Sequence, residues 1–208
     1  MAKITEISVQ KRDKNRANIY LDGTFYCGIK IDTVYKFHLK VDMDVSPEEL
    51  EEIQFDSEKS QALDKALGYV SKSMKTKRQV KDYLTSKGYL PTIVDYCTAK
   101  LIEYKFVDDN EYCKAYVRSY KKNKGSKLLE QELRSKGIDF NLIDSALDGE
   151  YTDGAENAKR IAEKYMKNKE NNKENLQKAY RYLLSKGFSY EEINSALKSF
   201  KGDIWNEY

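Results

Sequence analysis

The chain has 208 residues, with 37 basic and 34 acidic side chains, a formal net charge of +3 and 40% hydrophobic residues. This length is enough for a buried core, and the balanced charge excludes a strongly acidic or basic disordered chain. A charged fraction of 34% with only 2 prolines predicts a mainly α-helical fold.

Cysteine spacing and hydropathy exclude several classes of protein. Cys27, Cys97 and Cys113 are far apart and form no CxxC pair, so neither a disulfide framework nor a zinc site is predicted. There is no apolar run long enough to cross a membrane and no signal-peptide pattern. We therefore expect a cytoplasmic protein with reduced thiols and no membrane partner.

The first segment, residues 1–56, is predicted to contain strands followed by one or two helices. Asp22-Gly23 is a strong hairpin signal between two apolar runs, because glycine tolerates a positive φ. Residues 31–39 predict a short helix. Ser46-Pro47-Glu48-Glu49 predicts another helix that runs through Phe55, with serine as the N-cap and proline at the first helical position.

From residue 57 onward the apolar spacing becomes helical and the sequence repeats. Three Ser-Lys-Gly stretches end at Gly88, Gly137 and Gly187, which are 49 and 50 residues apart. Apolar residues recur eight and four residues before each glycine and six residues after it. These positions are Val80, Leu129 and Ala179, then Leu84, Leu133 and Leu183, then Val94, Ile143 and Ile193.

This repeat predicts three tandem three-helix units that stack into an elongated, curved array. The units are residues 57–107, 108–150 and 151–201, and residues 202–208 form a tail with Trp205. The first unit is predicted to open with a helix at 58–72 that buries Leu63, Leu67 and Val70. The third is predicted to open with a helix at 153–167 that buries Ile161, Ala162 and Tyr165.

The second unit has the clearest helix signals. Asp108 is the predicted N-cap of its first helix, with Glu111 at the capping-box spacing. Tyrosine recurs at every fourth position of that helix, at Tyr112, Tyr116 and Tyr120, and this spacing places the three rings on one face. Ser126 is predicted to start the next helix. The apolar stripe of the last helix is predicted to be Phe140, Ile143 and Leu147.

Basic residues concentrate at equivalent helix starts in the first two units, where Thr76 and Gln79 predict a capping box. The predicted contacts to a partner are Lys75, Lys77, Arg78, Lys81, Arg118, Lys121, Lys122, Lys124, Lys127 and Arg134. Positive side chains are unfavourable near a helix N-terminus, because its free N–H groups carry partial positive charge. We therefore expect an anion from a partner, a phosphate or a carboxylate, to bind there. The alternative is that these side chains are solvated or paired along the helix, as Lys127 with Glu130.

Other residue types offer fewer candidates. Most of the 17 tyrosines lie at core positions, and only Tyr120 and Tyr182 are retained as candidates for stacking on nucleic-acid bases. His38, the single histidine, lies between Phe37 and Leu39 and is predicted to be a partly buried structural residue. No nucleotide-binding motif, catalytic residue, metal site or cofactor is predicted, so we expect no enzymatic activity.

Several stretches together resemble the RecX family, the bacterial modulators of the RecA recombinase. They are Asp108-Asp109 with Tyr112, Tyr116-Val117-Arg118 and Lys124-Gly125; Gln131 to Ile138 with Ile143, Ala146 and Leu147; and Lys77 to Val80 with Leu84 and Lys87-Gly88-Tyr89. The family architecture is a three-fold array of three-helix units. The strand-rich N-terminal segment resembles the extra piece of Gram-positive members.

The resemblance implies a non-catalytic regulator of DNA repair, recombination and the SOS response. Family members bind RecA and its filament on single-stranded DNA, and they inhibit filament growth, ATP hydrolysis and strand exchange. Some members also bind single- or double-stranded DNA directly, and a monomer is expected. The third repeat departs from the first, with Asn175-Leu176-Gln177 in place of Thr76-Lys77-Arg78. The alternative function is an autonomous, sequence-independent DNA-binding helical module.

Overall fold

A computed structural model describes residues 1–201 as four strands and ten helices. The strands are β1 (Ala2–Val9), β2 (Arg16–Leu21), β3 (Thr24–Lys30) and β4 (Asp44–Val45). The first helices are α1 (Ile31–Lys36), α2 (Pro47–Val70), α3 (Lys77–Ser86) and α4 (Pro91–Glu103). The remaining helices are α5 (Asp109–Tyr120), α6 (Ser126–Ser135), α7 (Phe140–Glu150), α8 (Gly154–Met166), α9 (Lys173–Ser185) and α10 (Tyr190–Lys201).

The strands form one antiparallel sheet in the order β3-β2-β1-β4. Asp22 and Gly23 have φ angles of +48° and +81°, which confirms the predicted hairpin turn between β2 and β3. The sequence did not predict β4. This strand has two residues, Asp44 and Val45, and is too short to show an alternating pattern.

The predicted helix at 31–39 is shorter than expected, because α1 ends at Lys36. The chain turns at His38, which has a φ of +50°, and this turn places Leu39 in the core under the sheet. His38 is exposed. The prediction that it is a partly buried structural residue was therefore wrong.

The two helices predicted at 47–55 and 58–72 are one continuous helix, α2. The predicted start is confirmed, since Ser46 and Glu49 form a capping box with proline at the first position. The change of pattern after Phe55 reflects a change of packing partner. Before it, Leu50 and Ile53 pack on the sheet core; after it, α2 packs on the core of the first repeat.

The chain divides into two compact units. The first contains residues 1–74 and 80–107, and the second contains 75–79 and all residues from 108 onward. The repeat positions chosen from the sequence are all buried, which confirms them. Their accessible fractions are 0% for Val80, Leu84, Leu129, Leu133, Ala179, Leu183, Ile143 and Ile193, and 4% for Val94.

The first helix of a repeat buries its small residues more completely than its large ones. Ala62 and Ala66 of α2 are fully buried, whereas Leu63 and Leu67 lie at the edge of the core. In α8 the buried hydrophobic residues are Ala158, Ala162 and Met166. The predicted Ala162 is therefore confirmed, whereas Ile161 and Tyr165 are half-buried. Small residues let the helices approach closely, and larger side chains then lie beside the contact.

Helix α7 corrects a further prediction. Ile143 is fully buried and Leu147 is partly buried, as the predicted stripe requires. Phe140 is 50% exposed. It occupies the first helical position, outside the packed turn, and the Arg134 guanidinium lies 5.0 Å from its ring centroid.

The fold class is confirmed: an N-terminal antiparallel sheet precedes three tandem three-helix repeats. The boundary predicted at residue 56 falls inside α2, and the other domain boundaries stay predictions. The tail at 202–208 with Trp205 lies outside the described residues. None of the helices within residues 1–201 has the length and apolar composition needed to span a membrane.

Candidate functional site

Each repeat ends its second helix with the same turn. Gly88, Gly137 and Gly187 have φ angles of +84°, +79° and +83°, a left-handed conformation that glycine adopts without strain. In the second repeat, the N–H of Ile138 donates to the carbonyl of Leu133 (3.3 Å) and closes the end of α6. The Ser-Lys-Gly stretches are therefore helix-ending turns.

Backbone N–H groups at the start of α3 donate to side chains of the protein itself. The N–H of Thr76 donates to Gln79 Oε1 (3.0 Å), and the N–H of Gln79 donates to Thr76 Oγ1 (3.2 Å), which confirms the capping box. The Thr76 hydroxyl also donates to the carbonyl of Lys136 (2.8 Å). The N–H of Lys77 donates to Asp109 Oδ1 (2.8 Å), so a carboxylate of the protein itself occupies this helix end.

The start of α6 is filled in a similar way. The N–H of Gly125 donates to the carbonyl of Lys186 (2.8 Å), and the N–H of Lys127 donates to the carbonyl of Gly187 (3.2 Å). A Cβ on Gly125 would lie 2.2 Å from the Gly187 oxygen, so a larger residue would prevent this approach. The expectation that these N–H groups await an anion from a partner was wrong, because they already donate within the chain.

Of the ten basic residues predicted to contact a partner, five form ion pairs within the protein. The pairs are Lys81 with Asp95 (2.6 Å), Arg118 with Glu150 (2.7 Å), Lys121 with Asp153 (4.0 Å), Lys124 with Glu132 (2.6 Å) and Arg134 with Glu130 (2.7 Å). Exposed pairs are worth about 1 kcal/mol or less, so such cations can exchange an internal carboxylate for a partner's anion. Lys81 belongs to the first unit and the other nine residues belong to the second.

The other five predicted residues differ in how far they are engaged. Lys75 and Arg78 interact within the protein. Lys77, Lys122 and Lys127 are exposed, and in the part of the chain that the structure describes their ammonium groups have no ion-pair partner. These three lysines are the predicted contacts that are most available to a partner.

Lys124 has a structural role. Its ammonium lies 2.6 Å from both carboxylate oxygens of Glu132, and the Tyr116 hydroxyl donates to the same carboxylate (2.8 Å). Burial opposes ionisation of Glu132, but the hydrogen bonds from Lys124 and Tyr116 outweigh burial and lower the pKa of Glu132. The Lys124 ammonium also lies 4.4 Å from the ring centroid of Tyr120. The network fastens the loop after α5 to α6.

The two tyrosines retained for base stacking have different surroundings. Tyr120 is 41% exposed and lies tilted at 45° against Tyr116, with 4.6 Å between ring centroids. Tyr182 is 36% exposed and is stacked on Tyr165, at 4.8 Å and 21°. The Lys186 ammonium lies 5.3 Å from the Tyr182 centroid. The Tyr182 ring is therefore more nearly parallel to its neighbouring ring than the Tyr120 ring is.

Two of the thiols are core groups. Cys97 and Cys113 are fully buried, and burial raises the pKa of each thiol to about 11. At neutral pH these thiols are protonated and are poor nucleophiles. Within residues 1–201, no three His, Cys, Asp or Glu side chains form a group that could hold a metal ion.

Three further cations, which the sequence analysis did not single out, lie close together in the second unit. Arg160 and Lys164 are one turn apart on α8, and Lys186 follows the last residue of α9. All three line one cleft of about 540 Å³ with Tyr182. The four-residue spacing on α8 and the lysine that precedes each repeat glycine are sequence signals that could have indicated them.

Comparison with known protein families identifies the repeats. The model of the RecX N-terminal domain matches residues 2–46, and the models of the first, second and third RecX three-helix domains match 62–101, 108–147 and 152–197. The chain belongs to the RecX family. Each matched three-helix domain contains one of the glycine turns and lies within one of the three predicted repeats.

RecX proteins of known organisms are similar along almost the whole chain. The regulatory protein RecX of Bacillus licheniformis is 35% identical over 203 residues, which cover 95% of this chain and 77% of that protein. The regulatory protein RecX of Clostridium tetani is 35% identical over 200 residues, which cover 94% and 93% of the two chains. The similarity therefore includes the N-terminal sheet as well as the repeats.

Solved RecX structures have the same fold. A crystal structure of regulatory protein RecX matches with a TM-score of 0.73 and 29% identity, over 96% of this chain and all of that one. RecX from Lactobacillus salivarius matches with a TM-score of 0.63 and 30% identity, over 69% of this chain and 96% of that one.

Proposed function

We propose that this RecX-family protein is a non-catalytic regulator that binds RecA and the RecA filament on single-stranded DNA. It inhibits filament growth, ATP hydrolysis and strand exchange. The observation that supports this proposal is the match of all four RecX domain models along residues 2–197, together with relatives named as regulatory proteins. The protein acts as a monomer on the filament.

The basic surface of the second unit supplies the contacts in this proposal. Lys77, Lys122 and Lys127 are exposed, so acidic groups of RecA or DNA phosphates can approach them without breaking an internal ion pair. Arg118 and Arg134 also contact the partner. Each gives up its surface ion pair, with Glu150 and with Glu130, for an ion pair with the partner. Lys124 contributes mainly by holding the loop in place.

The test is the ATPase activity of RecA from the same organism on single-stranded DNA, titrated with this protein at fixed salt. A fall in hydrolysis at less than one regulator per RecA supports the proposal, because a few bound molecules then limit a whole filament. Unchanged hydrolysis over the full titration contradicts it.

The alternative function, autonomous DNA binding, is supported by the same unpaired lysines. Its separate test is the affinity for single- and double-stranded DNA without RecA, measured over a range of salt concentrations. Phosphate contacts release counterions, so the logarithm of the affinity should fall linearly with the logarithm of the salt concentration. Direct binding combined with unchanged RecA hydrolysis would favour the alternative.

A further inference from the structure

The second unit contains a cleft whose chemistry differs from that of the rest of its surface. The cleft has a volume of about 540 Å³ and lies between α8, the end of α9 and the loop that precedes α6. Asn123, Arg160, Lys164, Tyr165, Tyr182 and Lys186 line it. It therefore combines three cations with two aromatic rings.

The charge of this cleft is positive only. Among the described residues, no carboxylate lines it, and no ion pair neutralises Arg160, Lys164 or Lys186. The neighbouring cleft of about 600 Å³ also includes Arg160, but there Asp153 and Glu156 offset the cations. The first cleft can thus attract a polyanion, whereas the second has mixed charge.

Backbone contacts fix the position of these cations. The Arg160 guanidinium donates to the carbonyl of Lys122 and lies 3.5 Å from Asn123 Oδ1. The carbonyl of Lys186 accepts the N–H of Gly125 at 2.8 Å, which anchors the other wall of the cleft to the start of α6. The walls are therefore held by the same joint that connects α6 to the Gly187 turn.

The aromatic wall is a stacked pair. Tyr182 lies on Tyr165 at 4.8 Å with an interplanar angle of 21°, and Lys186 lies 5.3 Å from the Tyr182 centroid. The position equivalent to Tyr182 differs among the repeats, and in the second repeat it is Glu132. The first repeat has Tyr83 there, stacked on Tyr69 at 4.1 Å and 6°.

The combination points to one class of ligand. An acidic peptide would use the cations and would gain little from a stacked ring pair. A nucleotide uses both, because its phosphodiester pairs with cations and its base has a flat face that stacks on tyrosine. Double-stranded DNA does not present that face, since its bases are stacked on one another.

We propose that this cleft binds one nucleotide of a single strand. The base stacks on Tyr182, and Arg160, Lys164 and Lys186 hold the flanking phosphodiester. This site rests on the alternative function, direct DNA binding, and gives it a location in the second unit. Its test can fail while filament inhibition, and DNA binding elsewhere on the protein, remain intact.

The stacking part is tested with a fluorescein-labelled oligothymidylate and an abasic strand of the same length, at low salt and without RecA. Tyr182→Ala should weaken binding of the oligothymidylate roughly tenfold, and Tyr182→Phe should keep it, because stacking needs the ring and not the hydroxyl. The abasic strand has no base to stack, so it should bind Tyr182→Ala and Tyr182→Phe with equal affinity. Equal affinities of wild type and Tyr182→Ala for the oligothymidylate would overturn the proposal.

The charged part is tested with Arg160→Gln combined with Lys164→Gln, which leaves the ring stack in place. The salt slope of oligothymidylate binding should decrease by about 0.7 for each lost phosphate contact. Lys198→Gln, an exposed position on α10 outside the cleft, is the control and should not change the slope. Circular dichroism checks that each variant is folded. Equal competition by polyglutamate and by the oligothymidylate would identify a general polyanion surface and overturn the proposal.

Discussion

The second helices of the three repeats begin in two different ways. The starts of α3 and α6 donate to carbonyl groups of the following glycine turns, at Lys136 and at Lys186 and Gly187. Helix α9 begins one turn earlier relative to its glycine and is capped locally, since Asn172 Oδ1 accepts the N–H of Asn175 (2.9 Å). The starts of α3 and α6 therefore each bind the glycine turn that follows, an arrangement that we term an inner joint. Helix α9 instead starts with a local cap.

The difference explains the departure of the third repeat from the first. Asn175, twelve residues before Gly187, occupies the position of Thr76 before Gly88 and of Gly125 before Gly137. In α9 this residue is inside the helix, so its N–H is not available to a further repeat.

The glycine turns should show the largest difference in stability. A Cβ at Gly187 would lie 2.4 Å from the backbone nitrogen of Leu128, whereas a Cβ at Gly88 would meet no atom within 4 Å. We expect Gly187→Ala to destabilise the protein by about 3 kcal/mol, from left-handed strain and overlap. Gly88→Ala should cost about 1 kcal/mol, from strain alone.

Urea unfolding followed by circular dichroism measures both glycine variants. Gly125→Ala should also destabilise the protein, although Gly125 has an ordinary φ of −77°, because the atoms nearest to an added Cβ belong to the Gly187 turn. Equal losses in the free energy of unfolding for Gly187→Ala and Gly88→Ala would contradict the close contact between the Gly187 turn and the start of α6.

The caps should show a smaller difference. Thr76→Val removes the hydroxyl that accepts from Gln79 and donates to Lys136, and this should cost about 2 kcal/mol. Asn172→Ala removes only a local cap in α9 and should cost about 1 kcal/mol. The same unfolding measurement applies, with Thr76→Ser as the control that keeps the hydroxyl. A Thr76→Ser loss as large as that of Thr76→Val would show that the joint does not depend on this hydrogen bond.

The smallest expected effect concerns Glu132, which replaces the tyrosine of the other two repeats. Its folded pKa is lowered, so its contribution to stability is full above the unfolded pKa and is lost as the pH falls through the folded value. Glu132→Gln should cost about 1 kcal/mol at pH 7, and this cost should shrink as the pH falls below the ordinary glutamate pKa of about 4.3 and through the lowered folded value. Urea midpoints across this pH range measure the gap between wild type and variant. A gap that is constant with pH would rule out the ion pair with Lys124 as its cause.

The sequence predicted those parts of the structure that depend on local chemistry. The hairpin at Asp22-Gly23, the cap at Ser46 and the buried repeat positions follow from φ preferences, side-chain hydrogen bonds and helical spacing. It did not predict that α2 is continuous, because the break in pattern after Phe55 comes from a change of packing partner. That change is a tertiary property.

The candidate site was predicted only in part, for a related reason. Charge counting identified Lys122 and Lys127 but could not distinguish them from Lys124, whose carboxylate partner Glu132 lies on the next helix. The cleft with Arg160 and Lys186 combines residues from α8 and from the end of α9. Helical spacing alone does not bring these two segments together.

The most direct test of the account compares RecA ATPase inhibition by wild type and by Lys122→Glu combined with Lys127→Glu. The control is Lys11→Glu combined with Lys14→Glu, which changes the net charge equally at exposed positions in the N-terminal loop. Lys124 is left unchanged because its loss would disturb the loop itself. We predict that the control inhibits like wild type and that the Lys122 and Lys127 variant needs a roughly tenfold higher concentration, about 1.4 kcal/mol of lost binding. Undiminished inhibition by that variant would contradict the placement of the partner on the basic surface of the second unit.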